Sequence, residues 1–126
     1  MRALVYFRTD RGRFAVPVEA TRFVQLLTGL VTVPEQRDDI AGMLPGEPPL
    51  TVLTALGEGG DHVLVLETAV ARFGLQVREV LGVKRVAEDA MLAAPEGQSD
   101  DLFTATVIDD GSLVFVIDTD RLAARL

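Results

Sequence analysis

The segment 4-LVYFRTDRGRFAVPV-18 is followed 59 positions later by a similar segment, 63-VLVLETAVARFGLQV-77. The two align without a gap, and the identical residues in this frame are Thr9 and Thr68, Arg13 and Arg72, Phe14 and Phe73, and Val18 and Val77. An aliphatic run could occur two times in a chain by chance. The recurrence of an Arg-Phe pair at the same place within that run is less easily explained by chance. A repeat of this length predicts one supersecondary unit that is used twice. Two packed copies of a small β unit are more typical of a binding protein than of an enzyme.

Each copy has the composition of a β-hairpin, in which an apolar run rich in Val and aromatic residues meets a polar turn and a second run. In the first copy, Pro17 is expected to limit the second strand to a sheet edge. Residues 19–29 predict a helical turn near Glu19 that leads into a strand. Further strand candidates are residues 40–44, 50–56, 72–81, 104–108 and 113–117.

The end of the chain carries the strongest local signals. Asp109-Asp110-Gly111-Ser112 is an Asp-Gly hairpin turn. Asp118 can cap a short C-terminal helix that presents Leu122 and Leu126. About ten short strands with almost no helix predict a mainly β fold, either two five-stranded barrels or a sandwich.

Length and composition favour one globular domain. The chain has 126 residues, of which 48% are hydrophobic. This composition is typical of a folded protein and not of a disordered one. We expect a single domain over residues 1–126, with one lobe at roughly 1–58 and a second at roughly 59–126. The boundary is the glycine-rich segment 57–61, which looks the most flexible part of the chain.

The charge and the missing residue types exclude several classes of partner and compartment. The net charge is −7, so a nucleic acid or an anionic membrane would be repelled. There is no cysteine, which excludes disulfides and thiol chemistry. No apolar stretch approaches the ~20 residues of a membrane span, so membrane insertion is not expected and a cytoplasmic location is.

The sequence shows no catalytic constellation. His62 is the only histidine, and we interpret it as a solvated turn residue rather than a general base or ligand. Gly57-x-Gly59-Gly60 lacks the lysine of a phosphate-binding loop. Pairs of adjacent carboxylates fall in predicted loops, where they form turns and solubilise: Asp38-Asp39, Asp100-Asp101 and Asp109-Asp110. We therefore expect no enzymatic activity, no metal and no cofactor.

From residue 72 onward the chain resembles a known family. RFGLQVREVLGVKRVAEDAMLAAPEG (72–97) and DLFTATVIDDGSLVFVIDTDRL (101–122) are similar to the second half of CheW-like domains. RFAVPVEATRFVQLL (13–27) and VTVPEQRDDIAGM (31–43) follow the first half with lower fidelity. The resemblance implies two intertwined five-stranded, SH3-like β-barrels with a hydrophobic seam. It also implies a non-catalytic module that couples chemoreceptors to a histidine kinase.

The chain lacks both residues of an ion pair that the family pattern contains, an arginine and a glutamate. After Ile-x-Gly-Val the family usually has Asn-Leu-Arg-Gly, whereas Met43 here is followed by Leu-Pro-Gly-Glu-Pro-Pro, without the arginine. The glutamate that could pair with that arginine is Phe23. Replacing both partners of a buried pair by apolar groups can be nearly neutral, so we expect the fold to survive and Phe23 to be buried or to fill the seam.

The resemblance carries five candidate partner-binding residues onto this chain: Thr21, Phe23, Gly42, Met43 and Leu44. For each, the alternative is a role in the core or in a turn, and Gly42 could simply be needed where the backbone turns. The expected function is a non-catalytic adaptor in chemotaxis or motility signalling. Its implied partners are a histidine kinase regulatory domain (CheA-like) and a chemoreceptor cytoplasmic tip.

A second hypothesis keeps the fold but places the chain outside chemotaxis, as a divergent two-barrel interaction scaffold that could self-associate. The missing Arg/Glu pair favours it. Exposed strand edges would allow a homodimer without requiring one.

Overall fold

The computed structural model describes residues 1–32, 38–93 and 101–126. Five strands come from the first half of the chain: β1 (Arg2–Thr9), β2 (Gly12–Pro17), β3 (Thr21–Leu26), β4 (Ile40–Leu44) and β5 (Leu50–Leu53). Five come from the second half: β6 (His62–Glu67), β7 (Arg72–Val77), β8 (Glu79–Val86), β9 (Phe103–Asp109) and β10 (Ser112–Ile117). One short helix follows, α1 (Thr119–Ala123). The prediction of a mainly β protein with a short C-terminal helix is confirmed.

The ten strands form two five-stranded sheets that exchange strands between the halves of the chain. Sheet A has the order β8-β1-β2-β10-β9, and sheet B has the order β3-β6-β7-β5-β4. Each sheet takes the first hairpin of one half and the last three strands of the other half. Strands of the two halves meet in parallel at β2 with β10 and at β5 with β7, and antiparallel at β1 with β8 and at β3 with β6. The sheets therefore do not follow the division at residues 58 and 59, because each draws strands from both sides of it.

The two hairpins of the repeat have the same register. Phe7 lies opposite Phe14 in sheet A, and Leu66 lies opposite Phe73 in sheet B. Leu66 follows Phe7 by 59 positions and Phe73 follows Phe14 by 59 positions, which is the spacing of the repeat in the sequence. The conserved register supports the inference of one hairpin used twice.

The apolar runs of the repeat are continuous because both faces of their strands are buried. Side chains alternate between the faces of a strand, so Leu4 and Tyr6 point into the interior of sheet A, whereas Val5 and Phe7 point into the seam between the sheets. The seam cluster includes Val5, Phe7, Phe14, Val16, Leu53, Leu64, Leu66, Phe73, Leu75, Ile117 and Leu122. A smaller cluster of Leu44, Val52, Val63 and Val65 fills the interior of sheet B.

Neither sheet is a closed barrel in the strand pairing of the described residues. In sheet B the chain beyond β3 returns to the opposite edge, where Val31 and Met43 exchange two backbone hydrogen bonds of 2.9 and 2.8 Å. In sheet A the equivalent bridge joins Leu92 and Thr106. Each sheet is thus curled into a near-barrel that a single bridge spans.

Two turn predictions had different outcomes. Asp110 and Gly111 have positive φ angles of 49° and 77°, which is the type I′ hairpin that the Asp-Gly pair predicts. The prediction that Pro17 limits its strand to a sheet edge is wrong, since β2 lies at the centre of sheet A. Pro17 is tolerated there because the pairing of β2 with β10 covers only residues 13–15, so no hydrogen-bond donor is needed at the end of the strand.

The glycine-rich segment between the halves is tied to the first hairpin turn. The Thr9 hydroxyl donates to the Leu56 carbonyl at 2.7 Å, and the Arg11 guanidinium donates to the Ala55 carbonyl at 3.2 Å. A Cβ at Gly57, whose φ is +142°, would overlap the Asp10 carboxylate. The glycine here permits a close approach of two chain segments.

The C-terminal helix packs on the seam and joins two connections. Asp118 caps it as predicted, accepting hydrogen bonds from the backbone of Asp120 and Arg121 at 3.0 and 3.2 Å. Arg125 pairs with Asp39 at 2.8 Å and with Asp101 at 3.3 Å.

No helix among residues 1–32, 38–93 and 101–126 is long and apolar enough to cross a membrane.

Candidate functional site

A surface pocket of about 170 Å³ opens where β3 faces the connection between β4 and β5. Phe23 and Gln25 of β3 form one wall, and the Pro45–Pro49 connection forms the other. The remaining lining residues are Leu44, Leu50, Val65 and Arg72. We call this cavity the β3 pocket. It is lined by Phe23 and by the Pro45–Pro49 connection, where the sequence after Met43 differs from the family pattern. These two segments lie far apart in sequence.

Phe23 is accessible, which contradicts the prediction that it is buried or fills the seam. It is 46% exposed, because β3 lies at the edge of sheet B and pairs with β6 alone among the described strands. The guanidinium carbon of Arg72 lies 5.3 Å from the centre of its ring, within the range of a cation–π contact. The absence of the family's glutamate therefore leaves an exposed aromatic ring under a cation at the rim of the pocket.

At the position in sheet A that is equivalent to the β3 pocket, ion pairs between charged side chains fill the space. Arg13 corresponds to Arg72 in the repeat, and it pairs with Asp109 at 2.7 Å. Lys84 corresponds to Gln25, pairs with the same carboxylate at 2.8 Å, and lies 5.1 Å from the ring centre of Tyr6. The hydrogen bonds from Lys84 and then Arg13 lower the pKa of Asp109 below its usual value. Burial, with the nearby Asp109 charge second, raises the pKa of Tyr6.

The length of one connection accounts for the difference between the sheets. A two-residue turn joins β9 to β10 and places Asp109 directly beside the two cations. The connection between β4 and β5 is longer and has prolines at positions 45, 48 and 49. It provides Glu47 at the pocket wall, yet no carboxylate of the described residues forms an ion pair with Arg72. The β3 pocket therefore remains open and keeps an exposed guanidinium.

The volume of the β3 pocket limits what it can hold. Sites for drug-sized molecules and cofactors occupy roughly 300–1,000 Å³, and about 170 Å³ is well below that range. An apolar cavity of about 150 Å³ is known to hold benzene. The pocket therefore has room for one aromatic ring or one branched side chain.

The pocket brings together two of the five residues that the sequence suggested for partner binding. Phe23 and Leu44 line it, although Leu44 is only 4% exposed and also belongs to the core of sheet B. Thr21 donates its hydroxyl to the Val18 carbonyl at 2.7 Å. Met43 forms the backbone bridge across the near-barrel. Neither of these two lines the pocket.

Gly42 has a structural reason to be glycine. Its φ is +153°, it is buried, and a Cβ there would overlap the Val31 carbonyl oxygen. It lies at an irregularity in the register of β4 and β5. The close approach of β4 to the chain segment at Val31 requires glycine at this position, and Gly42 also lies outside the pocket wall.

Sequence reasoning missed Arg72, Gln25 and the prolines as pocket residues. A signal for Arg72 was present, since it aligns with Arg13 in the repeat. That signal showed equivalence of position without showing that, within the described part of the chain, Arg13 has a carboxylate partner and Arg72 does not. The difference depends on the two connections, which have no similarity in sequence.

The other candidates for chemistry are in structural roles. His62 begins β6 instead of lying in a turn, and its Nδ1 is buried without a hydrogen-bond partner in the described part of the chain. Asp39, Asp101 and Asp109 are in ion pairs with arginine or lysine, while Asp100 lies outside the described residues. No cluster of three or more metal-ligating side chains occurs within residues 1–32, 38–93 and 101–126.

The fold and the pocket define a small two-sheet protein whose accessible features are a side-chain-sized cavity and open strand edges. Comparison with known proteins places it in a family. The model of the CheW-like domain matches residues 46–126, more than half of the chain, and the protein therefore belongs to the CheW-like domain family. The resemblance inferred from the sequence is confirmed.

A solved structure has the same fold. The crystal structure of the scaffolding protein TtCheW from Thermoanaerobacter tengcongensis matches with a TM-score of 0.79 and 17% sequence identity. The match covers 93% of this chain and 88% of that one. A search of curated proteins gave no significant match.

Proposed function

We propose that this protein is a non-catalytic adaptor in chemotaxis or motility signalling, which bridges a histidine kinase regulatory domain and the cytoplasmic tip of a chemoreceptor. Membership of the CheW-like family supports the general role. The observation that carries the proposal is the match of the CheW-like domain model to residues 46–126, and the β3 pocket is the candidate contact surface on this fold. A cytoplasmic location belongs to this proposal.

The departure itself supports a second candidate function, an interaction scaffold outside chemotaxis. Phe23 and the Pro45–Pro49 connection replace the Glu and Arg of the family pattern, so the pocket presents an aromatic ring and prolines in place of an ion pair. A partner selected for the ion pair would leave its own polar groups unpaired against this surface. Loss of receptor binding with retention of other partners is the result that this candidate predicts.

Binding of the purified chain to each partner tests both candidates. The kinase regulatory domain and the receptor tip from the same organism are immobilised separately, and capture is measured at micromolar concentrations. We expect Phe23→Glu to abolish capture by the partner that uses the pocket. Ile108→Glu is the matched control, because Ile108 is 63% exposed on β9, outside the pocket. Capture by neither protein would remove the chemotaxis role and leave the scaffold.

A further inference from the structure

The edge of sheet B at β3 differs from the equivalent edge of sheet A at β8. In the frame of the repeat, positions 24–26 of β3 correspond to positions 83–85 of β8, and the register agrees, since Val24 lies opposite Leu64 and Val83 opposite Val5. Both strands are terminal in their sheets. The two edges therefore allow a comparison within one molecule, with the backbone arrangement held constant.

Two of the three equivalent positions carry a charged side chain in β8 and none does in β3, although Val83 of β8 is itself 60% exposed. Position 25 is Gln in β3 and Lys84 in β8, and position 26 is Leu in β3 and Arg85 in β8. Charged side chains and bulges are the usual devices that prevent an edge strand from pairing with another chain. From Phe23 to Leu26, β3 has no charged residue, and three of its four side chains are exposed hydrophobics at 46%, 42% and 61%.

The outer edge of β3 also presents free backbone groups. Leu27 donates its N–H to Asp61 of the β6 side at 2.8 Å, and Gln25 lies in phase with it, opposite Val63. Backbone groups alternate in direction along an antiparallel strand. The N–H and C=O of Val24 and the N–H of Leu26 therefore point away from β6, and no strand of the described residues takes them up.

The β3 pocket lies beside this edge and gives it a chemical preference. Phe23 and Gln25 line the pocket on the face of β3 opposite to the side chain of Val24. A strand added along β3 would alternate in the same way, so that the residues flanking the partner of Val24 would direct their side chains toward the pocket. Arg72 at the pocket rim offers a cation to one of them.

We propose that β3 is a strand-addition site, at which an extended segment of a protein partner pairs with the backbone at Val24. One large apolar side chain of that segment enters the β3 pocket, and a neighbouring acidic side chain pairs with Arg72. Main-chain hydrogen bonds supply affinity in this mode of recognition, and pockets for alternate side chains supply specificity. The proposal deepens the adaptor function, because it states how the same pocket binds, but it does not depend on which partner is bound.

A second copy of the chain is the less favoured occupant. β3 (Thr21–Leu26) has no carboxylate to offer the Arg72 of a second copy. Self-association through β3 would appear as a concentration-dependent dimer in sedimentation that Val24→Pro abolishes. That result would overturn the assignment of an acidic partner segment.

The test is a selection of short random peptides displayed on phage against the intact chain. We expect the enriched peptides to combine an acidic residue with a large apolar residue at i and i+2. Val24→Pro removes one outward N–H without touching the pairing with β6, and we expect it to weaken these peptides about tenfold, the loss of one or two main-chain hydrogen bonds. Val83→Pro, the equivalent change on β8, is the matched control and should leave the affinity unchanged. Arg72→Gln should weaken the acidic peptides about two- to fivefold.

Amide hydrogen exchange on the unmutated chain keeps the test independent of how well Val24→Pro folds. With a selected peptide bound, the Val24 amide should become protected and the Val83 amide should not. No enrichment, or peptides that bind without protecting Val24, would overturn strand addition. If acidic peptides bind at Val24 while the kinase domain and the receptor tip are not captured, the adaptor function fails and the strand-addition site stands.

Discussion

Replacing Phe23 measures how much of the fold depends on the residue at the centre of the candidate site. Full burial of a phenylalanine side chain stabilises a protein by about 1.5–3 kcal/mol. Since Phe23 is 46% exposed, roughly half of that, about 1 kcal/mol, is at stake. The contact with Arg72 at 5.3 Å adds about 0.5–1 kcal/mol. We expect Phe23→Ala to lower the free energy of unfolding by about 1–2 kcal/mol.

Phe23→Glu separates the exposed position from a buried one more sharply. At the pocket rim, the new carboxylate can pair with Arg72, and an exposed ion pair contributes about 0.2–1 kcal/mol. The net loss should then stay near 1 kcal/mol in urea unfolding. Phe73→Ala is the control, because Phe73 is fully buried in the seam and should cost about 3–5 kcal/mol. A loss for Phe23→Glu as large as that of Phe73→Ala would refute the placement of the ring at an accessible rim.

Three further changes test the fold that supports the site. The pKa of Asp109 is held below its usual value by its two cationic partners, so its contribution to stability is present above the unfolded pKa of about 3.9 and is lost as the pH falls through the folded pKa. Unfolding followed from pH 6 to 2 should show this loss, and Asp109→Asn should remove it. Gly42→Ala should destabilise by about 1–3 kcal/mol more than Gly12→Ala, because both have φ near +150° but only Gly42 is closely approached; equal melting temperatures would contradict the steric argument. Asp118→Ala should cost about 1 kcal/mol through loss of the helix cap, while Asp120→Ala, two residues later in the first turn, should be close to neutral by thermal unfolding.

The parts of the fold that could be predicted from the sequence are those decided by neighbouring residues. The Asp110-Gly111 turn follows from the positive φ angles that its residues tolerate. The cap at Asp118 follows from side-chain hydrogen bonding to the first turn of a helix. The repeated hairpins could be recognised because a register of Phe7 with Phe14 requires the same alternation as Leu66 with Phe73.

The candidate site could be predicted only in part, because it depends on contacts between distant segments. Phe23 and Leu44, which were chosen by resemblance to a family, both line the β3 pocket, and their role in partner binding stays a prediction. The exposure of Phe23 could not be predicted, since burial of an edge strand depends on whether another strand lies beyond it. The central position of Pro17 was missed for a similar reason. A proline excludes pairing only at the residues that a neighbouring strand covers, and that length is a tertiary property.

The exchange of strands between the sheets explains why the two halves are found in one chain. A chain consisting of residues 1–58 alone would hold the first hairpin of sheet A and the last three strands of sheet B, with neither set completed. Its seam residues, such as Phe7 and Leu53, would lose the partners that bury them. Two copies of such a half could complete both sheets by exchanging hairpins, as the parallel contacts of β2 with β10 and β5 with β7 now do within one molecule. With both halves in one chain, the two sheets are completed without the concentration dependence that association of separate halves would have. Within one chain the two edges also have different side chains, with Lys84 and Arg85 on β8 and Gln25 and Leu26 at the equivalent positions of β3 beside the pocket.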